Sequence, residues 1–144
     1  MSRKNPRRER APKGRKKATS VRSPSTQNKQ LVWKVSKIDD KGQWGWNNIS
    51  CPDFLRNIWD KMRNFETMTW SQILGRSHHM IPVSDIIKPA QERLRELKHD
   101  DQEELVSLRL TGKQRLWAIR SGGEAFLLWW DPNHEICPSP KKHT

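Results

Sequence analysis

Residues 31–38, LVWKVSKI, set Leu31, Trp33 and Val35 against Val32, Lys34 and Ser36, an alternation that predicts a half-buried strand. A polar loop, DDKGQWGWNN, follows, and then the period lengthens. Phe54, Ile58, Met62 and Phe65 share one stripe with Leu55 and Trp59 beside it, which predicts an amphipathic helix. Ser50 stands where a cap is needed, and Pro52 and Asp53 suit the first turn. A second, short helix is expected from Thr69 to Leu74, stopped by Gly75. RSHHMIPVSDIIKP reads as a loop or short extended segment. A third helix then has Pro89 in its first turn and Ala90, Leu94 and Leu97 on its apolar face.

From Leu105 onward the period is two. Val106, Leu108 and Leu110 oppose Leu105, Ser107 and Arg109, and after the TGKQ turn Arg115, Trp117 and Ile119 oppose Leu116, Ala118 and Arg120. SGG marks a hairpin, because glycine adopts the positive φ of a tight turn without strain. AFLLWW is apolar on both faces, the mark of a strand covered on both sides, and Asp131 and Pro132 end it. The expected fold is α+β: an antiparallel sheet of about four strands with the helices packed on one face.

Charge divides the chain. Residues 1–30 hold eleven Lys/Arg against one Glu, net +10; the remainder holds 17 against 15, net +2. The first thirty residues have no apolar periodicity and several prolines, so they read as a disordered basic arm, with residues 31–144 as the domain. Such an arm is suited to neutralising phosphates on RNA or DNA. The chain shows neither a secretory signal nor a membrane span, and the expected partners do not include a membrane. Cys51 and Cys137 are far apart and lack CxxC spacing, which argues against a zinc module or disulfide scaffold and for a reducing, cytoplasmic location. The eight Trp and absence of Tyr leave indoles to fill much of the core.

The order of elements is similar to the RelE/ParE-like toxin superfamily. LRLTGKQRLWAI, residues 108–119, resembles that family's run of Leu-Arg, two residues, Gly, two residues, Arg and a hydrophobic stretch. The resemblance implies a RelE-like fold and a small bacterial endoribonuclease that cuts messenger RNA on the ribosome, with an antitoxin protein as a partner. It places Arg109 and Arg115 at the basic positions flanking the turn. His134 and the terminal KKHT fall where some members carry a C-terminal His, Arg or Tyr. Two alternatives accompany this reading: a non-catalytic RNA- or ribosome-binding protein, and a ParE-like toxin directed at DNA gyrase. An open sheet face lacking clustered His and Arg would mark the last.

Metal-free RNA cleavage needs a base for the 2′-hydroxyl, an acid for the leaving 5′-oxygen, and cations around the phosphorus. Arginine suits the last task because its planar fork grips two phosphate oxygens and stays charged. The catalytic candidates are therefore Arg109, Arg115, His134 in the DPNH turn, and His79. Lys113, Arg120, His78, Trp46 and His143 are the candidate substrate contacts, Trp46 by stacking on a base. No cofactor or metal is expected. Adjacent His78 and His79 point to opposite faces of a strand, and Asp131, His134 and Glu135 lack the helical spacing of a zinc motif.

Overall fold

The computed structural model describes residues 24–75 and 77–138. The chain runs α1 (Pro24–Gln27), β1 (Val32–Lys34), a 3-10 turn (Trp46–Asn48), α2 (Cys51–Asn57), α3 (Trp59–Phe65) and α4 (Trp70–Ile73). There follow β2 (His79–Pro82), a second 3-10 turn (Val83–Asp85), α5 (Lys88–Glu96), β3 (Glu104–Arg109), β4 (Arg115–Ser121) and β5 (Glu124–Asp131). The five strands form one sheet in the order β1-β5-β4-β3-β2, with β1 parallel to β5 and all other neighbours antiparallel. Among the described residues, no helix is long and apolar enough to cross a membrane.

The architecture is α+β as expected, and three details differ. The additional strand is β2, formed from the segment read as a loop or short extended piece: His79 pairs with Ser107 and Ile81 with Leu105. Met80 and Ile81 drive this pairing, because they pack against the hydrophobic clusters on opposite faces of the sheet. The sheet is mixed because β1 pairs in parallel with β5, matching Trp33 with Ala125. The helices also divide between the faces, because strands apolar on both sides need cover on both. On the first face Ile58, Met62, Phe65, Trp70 and Ile73 pack against Val106, Leu108, Leu116, Ala118 and Leu127. On the second, Ala90 and Leu94 of α5 pack against Leu105, Trp117, Ile119, Leu128 and Trp129.

The long helix of the 50–65 segment forms as α2 and α3, distorted at Ile58 (φ −117°, ψ −39°). The hydrogen-bond ladder still passes through, with Ile58 N–H donating to Phe54 O at 2.8 Å and Met62 N–H to Ile58 O at 2.9 Å. Ser50 Oγ caps the start by accepting from Asp53 N–H at 3.2 Å. At α4, Thr69 and Gln72 form a reciprocal capping box, and the Trp70 indole donates to Gly123 O at 2.8 Å.

The folded body begins before residue 31. Gln30 bridges to Thr69, Trp70 N–H donates to Lys29 O at 3.0 Å, and Thr26 is buried. The remainder of the expected basic arm, residues 1–23, lies outside the described residues, as do 139–144.

One charged cluster lies inside the fold. Asp39, 1% exposed, accepts from both Nε and Nη2 of Arg93 (2.9 and 2.8 Å), from Trp129 Nε1 (2.9 Å), and from the backbone of Gly42 (3.0 Å). Burial alone would raise its carboxyl pKa, but the hydrogen bonds from Arg93, Gly42 and Trp129 overcome that and hold it at about 2. The Arg93 guanidinium is correspondingly raised, first by its bond to Asp39. Gly42 has no room for a side chain: a Cβ there would lie 2.6 Å from both Asp39 Oδ2 and Arg93 Nε. This cluster binds the loop after β1 to α5 and β5.

Candidate functional site

The alternation of β3 and β4 puts Ser107 and Arg109, and Arg115 and Trp117, on the second face. Pairing registers align them into rows: Arg109 with Arg115 and Asp131, then His79 with Ser107, Trp117 and Trp129. Nine-residue α5 is only about 13 Å long and covers the far end of this face. The near end opens as a cavity of about 340 Å³. His79 and Ile81 enter it from β2, Ser107 and Arg109 from β3, Arg115 and Trp117 from β4. Its remaining wall is the segment after β5, which brings His134, Cys137 and Pro138.

Buried Asp131 builds that wall. Its Oδ1 accepts from Glu135 N–H (2.9 Å), while Oδ2 accepts from Ile136 N–H (3.0 Å) and from the Trp117 indole (3.3 Å). One carboxylate thus shapes the turn and fixes the indole on the cavity floor. The turn requires His134 at φ +58°, a left-handed conformation costing a non-glycine residue roughly 1 kcal/mol, which Asp131's bonds offset. The wall is pinned further along by Trp44 Nε1 donating to Glu135 (3.2 Å) and Ile87 N–H donating to Ile136 O (2.9 Å).

Arg109 and Arg115 are directly opposed across β3 and β4. Like charges so placed repel. Among the described residues neither guanidinium forms a salt bridge; Arg115 donates instead to the carbonyls of Gly112 (2.8 Å) and Gln114 (3.1 Å). Burial, and then Arg109, press the Arg115 pKa down against an opposing pull from Asp131, although a guanidinium remains protonated at any physiological pH. Burial, followed by Arg115 and to a lesser degree Arg109, also holds the His134 imidazole below the usual histidine range, against opposing pulls from Asp131 and the Cys137 backbone. Two cations and an imidazole disposed toward its neutral form therefore share one concavity with a second imidazole, His79. Such an arrangement can bind an anion and move protons.

Four candidates thus converge: His79, Arg109, Arg115 and His134. The others are placed differently. Arg120 is 5% exposed, with its guanidinium 4.1 Å over the Trp70 ring and donating to Gln27 Oε1 (2.7 Å) and Gly122 O (2.9 Å). It braces α1 from the first face, where its alternation with Leu116 and Ala118 directs it. His78 also serves the fold: its Nδ1 accepts from Arg109 N–H at 3.0 Å and its ring meets Phe65 edge-on at 5.1 Å. Burial, then His79, Arg115 and Arg109, lower its pKa, consistent with an unprotonated Nδ1. Trp46 packs against Phe54 and Trp130, each 6.0 Å away, and does not line the cavity; its buried N–H has no acceptor among the described residues. Lys113 is exposed in the β3–β4 turn and does not line the cavity, and His143 lies outside the described residues.

Sequence reasoning missed Ser107, Ile81 and Cys137. Ser107 was within reach, since it shares the alternation of Arg109. Cys137 depends on the path of the segment after β5, which no local pattern encodes. A wider, open depression of about 520 Å³ beside α3 is chemically quieter, because its Arg63 is paired with Asp60 at 3.1 Å. Among the described residues, no group of three or more His, Cys, Asp or Glu is placed to hold a metal ion. No protein-family profile, curated protein or solved structure matches this chain.

Proposed function

We propose that this protein is a toxin-like endoribonuclease that cleaves messenger RNA by acid–base chemistry in the cavity on the second sheet face. The carrying observation is the convergence of Arg109, Arg115, His134 and His79 on one cavity, with the arginines opposed and in no salt bridge among the described residues. Opposed cations are costly when empty and favourable when a phosphate lies between them, so they support an anionic ligand.

In this reading His134 is the base. It takes the 2′-hydroxyl proton, the 2′-oxygen bonds to phosphorus, and the bond from phosphorus to the 5′-oxygen breaks. His79, as the acid, delivers its proton to the departing 5′-oxygen. The products are a 2′,3′-cyclic phosphate and a free 5′-hydroxyl, while the two guanidiniums stabilise the charge on the phosphoryl oxygens. The depressed His134 pKa suits the role of base near neutrality.

Clustered His and Arg on the open face favour RNA chemistry over the gyrase-directed alternative. The test is induction of the wild type and of Arg109→Ala, Arg115→Ala and His134→Ala in bacteria, with transcript ends mapped. New cuts ending in 2′,3′-cyclic phosphate that vanish in the variants are expected. Tight RNA binding with intact transcripts would instead favour a non-catalytic platform. DNA damage with intact RNA would favour action on gyrase.

A further inference from the structure

We infer that the cavity holds a nucleobase beside the phosphate, in an apolar slot between Ile81 and the Cys137–Pro138 stretch of the wall. This rests on the phosphodiester reading above and specifies what else the site grips.

The cavity lining is graded along the strands. Its first row, Arg109 and Arg115, is cationic; the next is His79, Ser107 and Trp117; beyond it on the same face of β2 stands Ile81. Successive same-face residues lie about 7 Å apart, comparable to the reach from a nucleotide's phosphorus to its base. A phosphate on the two guanidiniums therefore leaves the rest of the 340 Å³ unfilled. That remainder is bounded by an isoleucine, a proline, an indole floor and a thiol whose hydrogen is directed at Asp85 O, 3.6 Å away. Water is poorly satisfied between such walls, whereas a flat heteroaromatic ring fits them.

Ser107, on the strand between β2 and β4, supplies a neutral polar contact. It is 7% exposed, lies in register between His79 and Trp117, and its hydroxyl forms no hydrogen bond among the described residues. A hydroxyl can donate or accept, so it can serve the ribose or an edge of any base. The slot thus encloses a base among apolar groups with little discrimination among bases.

The experiment compares ligands of equal charge, so that the Lys/Arg-rich N-terminal residues treat them alike. The full chain is titrated calorimetrically with ribose 5-phosphate and with the four nucleoside 5′-monophosphates. Nucleotides should bind about tenfold tighter or more, the weight of burying part of one base against apolar walls. Ile81→Asn should erase that gain while preserving ribose 5-phosphate binding. In a Cys51→Ser background, nucleotide but not ribose 5-phosphate should slow alkylation of Cys137, a readout that needs no change to the cavity and decides the matter if Ile81→Asn unfolds. Equal affinities with unprotected Cys137 would overturn the slot and leave the phosphate site standing. Failure of both ligands to bind would overturn the two together.

Discussion

Arg93 meets Asp39 through two hydrogen bonds of 2.8 and 2.9 Å, in a cluster that also takes the Trp129 indole. On the same sheet face, Arg109 and Arg115 are held opposite one another with no carboxylate bonded to either among the described residues. The first arrangement is what folding selects: a buried charge neutralised and fully hydrogen-bonded. The second costs folding energy, as like charges opposed across a ladder do, and suits the anionic ligand proposed above. In the proposed function, the cations that act are the ones held in no salt bridge among the described residues.

Breaking the first region should have the largest effect. Asp39→Ala strands Arg93 and removes the acceptor for Trp129, and should cost about 3–5 kcal/mol in urea denaturation. The same carboxylate should be visible in acid. Its folded pKa of about 2 lies below the ordinary 3.8, so its contribution is complete above pH 4 and disappears as pH falls through 2. Asp39→Asn should flatten that part of the stability curve.

In the second region the expected losses are kinetic. Arg115→Ala should lower cleavage by about 100-fold or more, as removal of a positioned charge donor does, with secondary structure retained by circular dichroism. Arg120→Leu sharpens the contrast from the other face. It should destabilise by roughly 1–3 kcal/mol through loss of its Gln27 bond and its contact with Trp70, with nucleotide affinity unchanged. A subtler effect concerns pH. Burial and then Arg115 hold His134 below its usual range, so Arg115→Gln, assayed for residual cleavage, should move the acidic limb of the pH–rate profile upward. Smallest of all, Arg109→Ala should leave stability unchanged or raise it by about 0.2–1 kcal/mol, because it relieves the opposed pair. A clear loss of stability there would end the comparison.

Much of this was legible in the chain because the informative signals were local. The period-two runs placed Arg109 and Arg115 on one face, and they also set Arg120 with Leu116 and Ala118, a parity that already separated it from the cavity. The hairpin turns fixed the order of β3, β4 and β5. What was not legible depended on contacts distant in sequence. β2 becomes a strand only by pairing with β3, and α5 crosses to the second face because both sides of β5 need cover. Trp44 and Trp46, two residues apart in one loop, belong to different clusters, a division that only the packed sheet determines. Asp131 reads as a strand terminator, yet it organises the cavity wall through three hydrogen bonds.

The parallel pairing of β1 with β5 has a kinetic consequence. Val32 finds Glu124 across nearly the whole described chain, whereas β3, β4 and β5 are joined by short turns. Loop-closure entropy therefore favours early assembly of the meander and late docking of β1. Once docked, β1 joins the start of the fold to its last strand and covers that strand's outer edge.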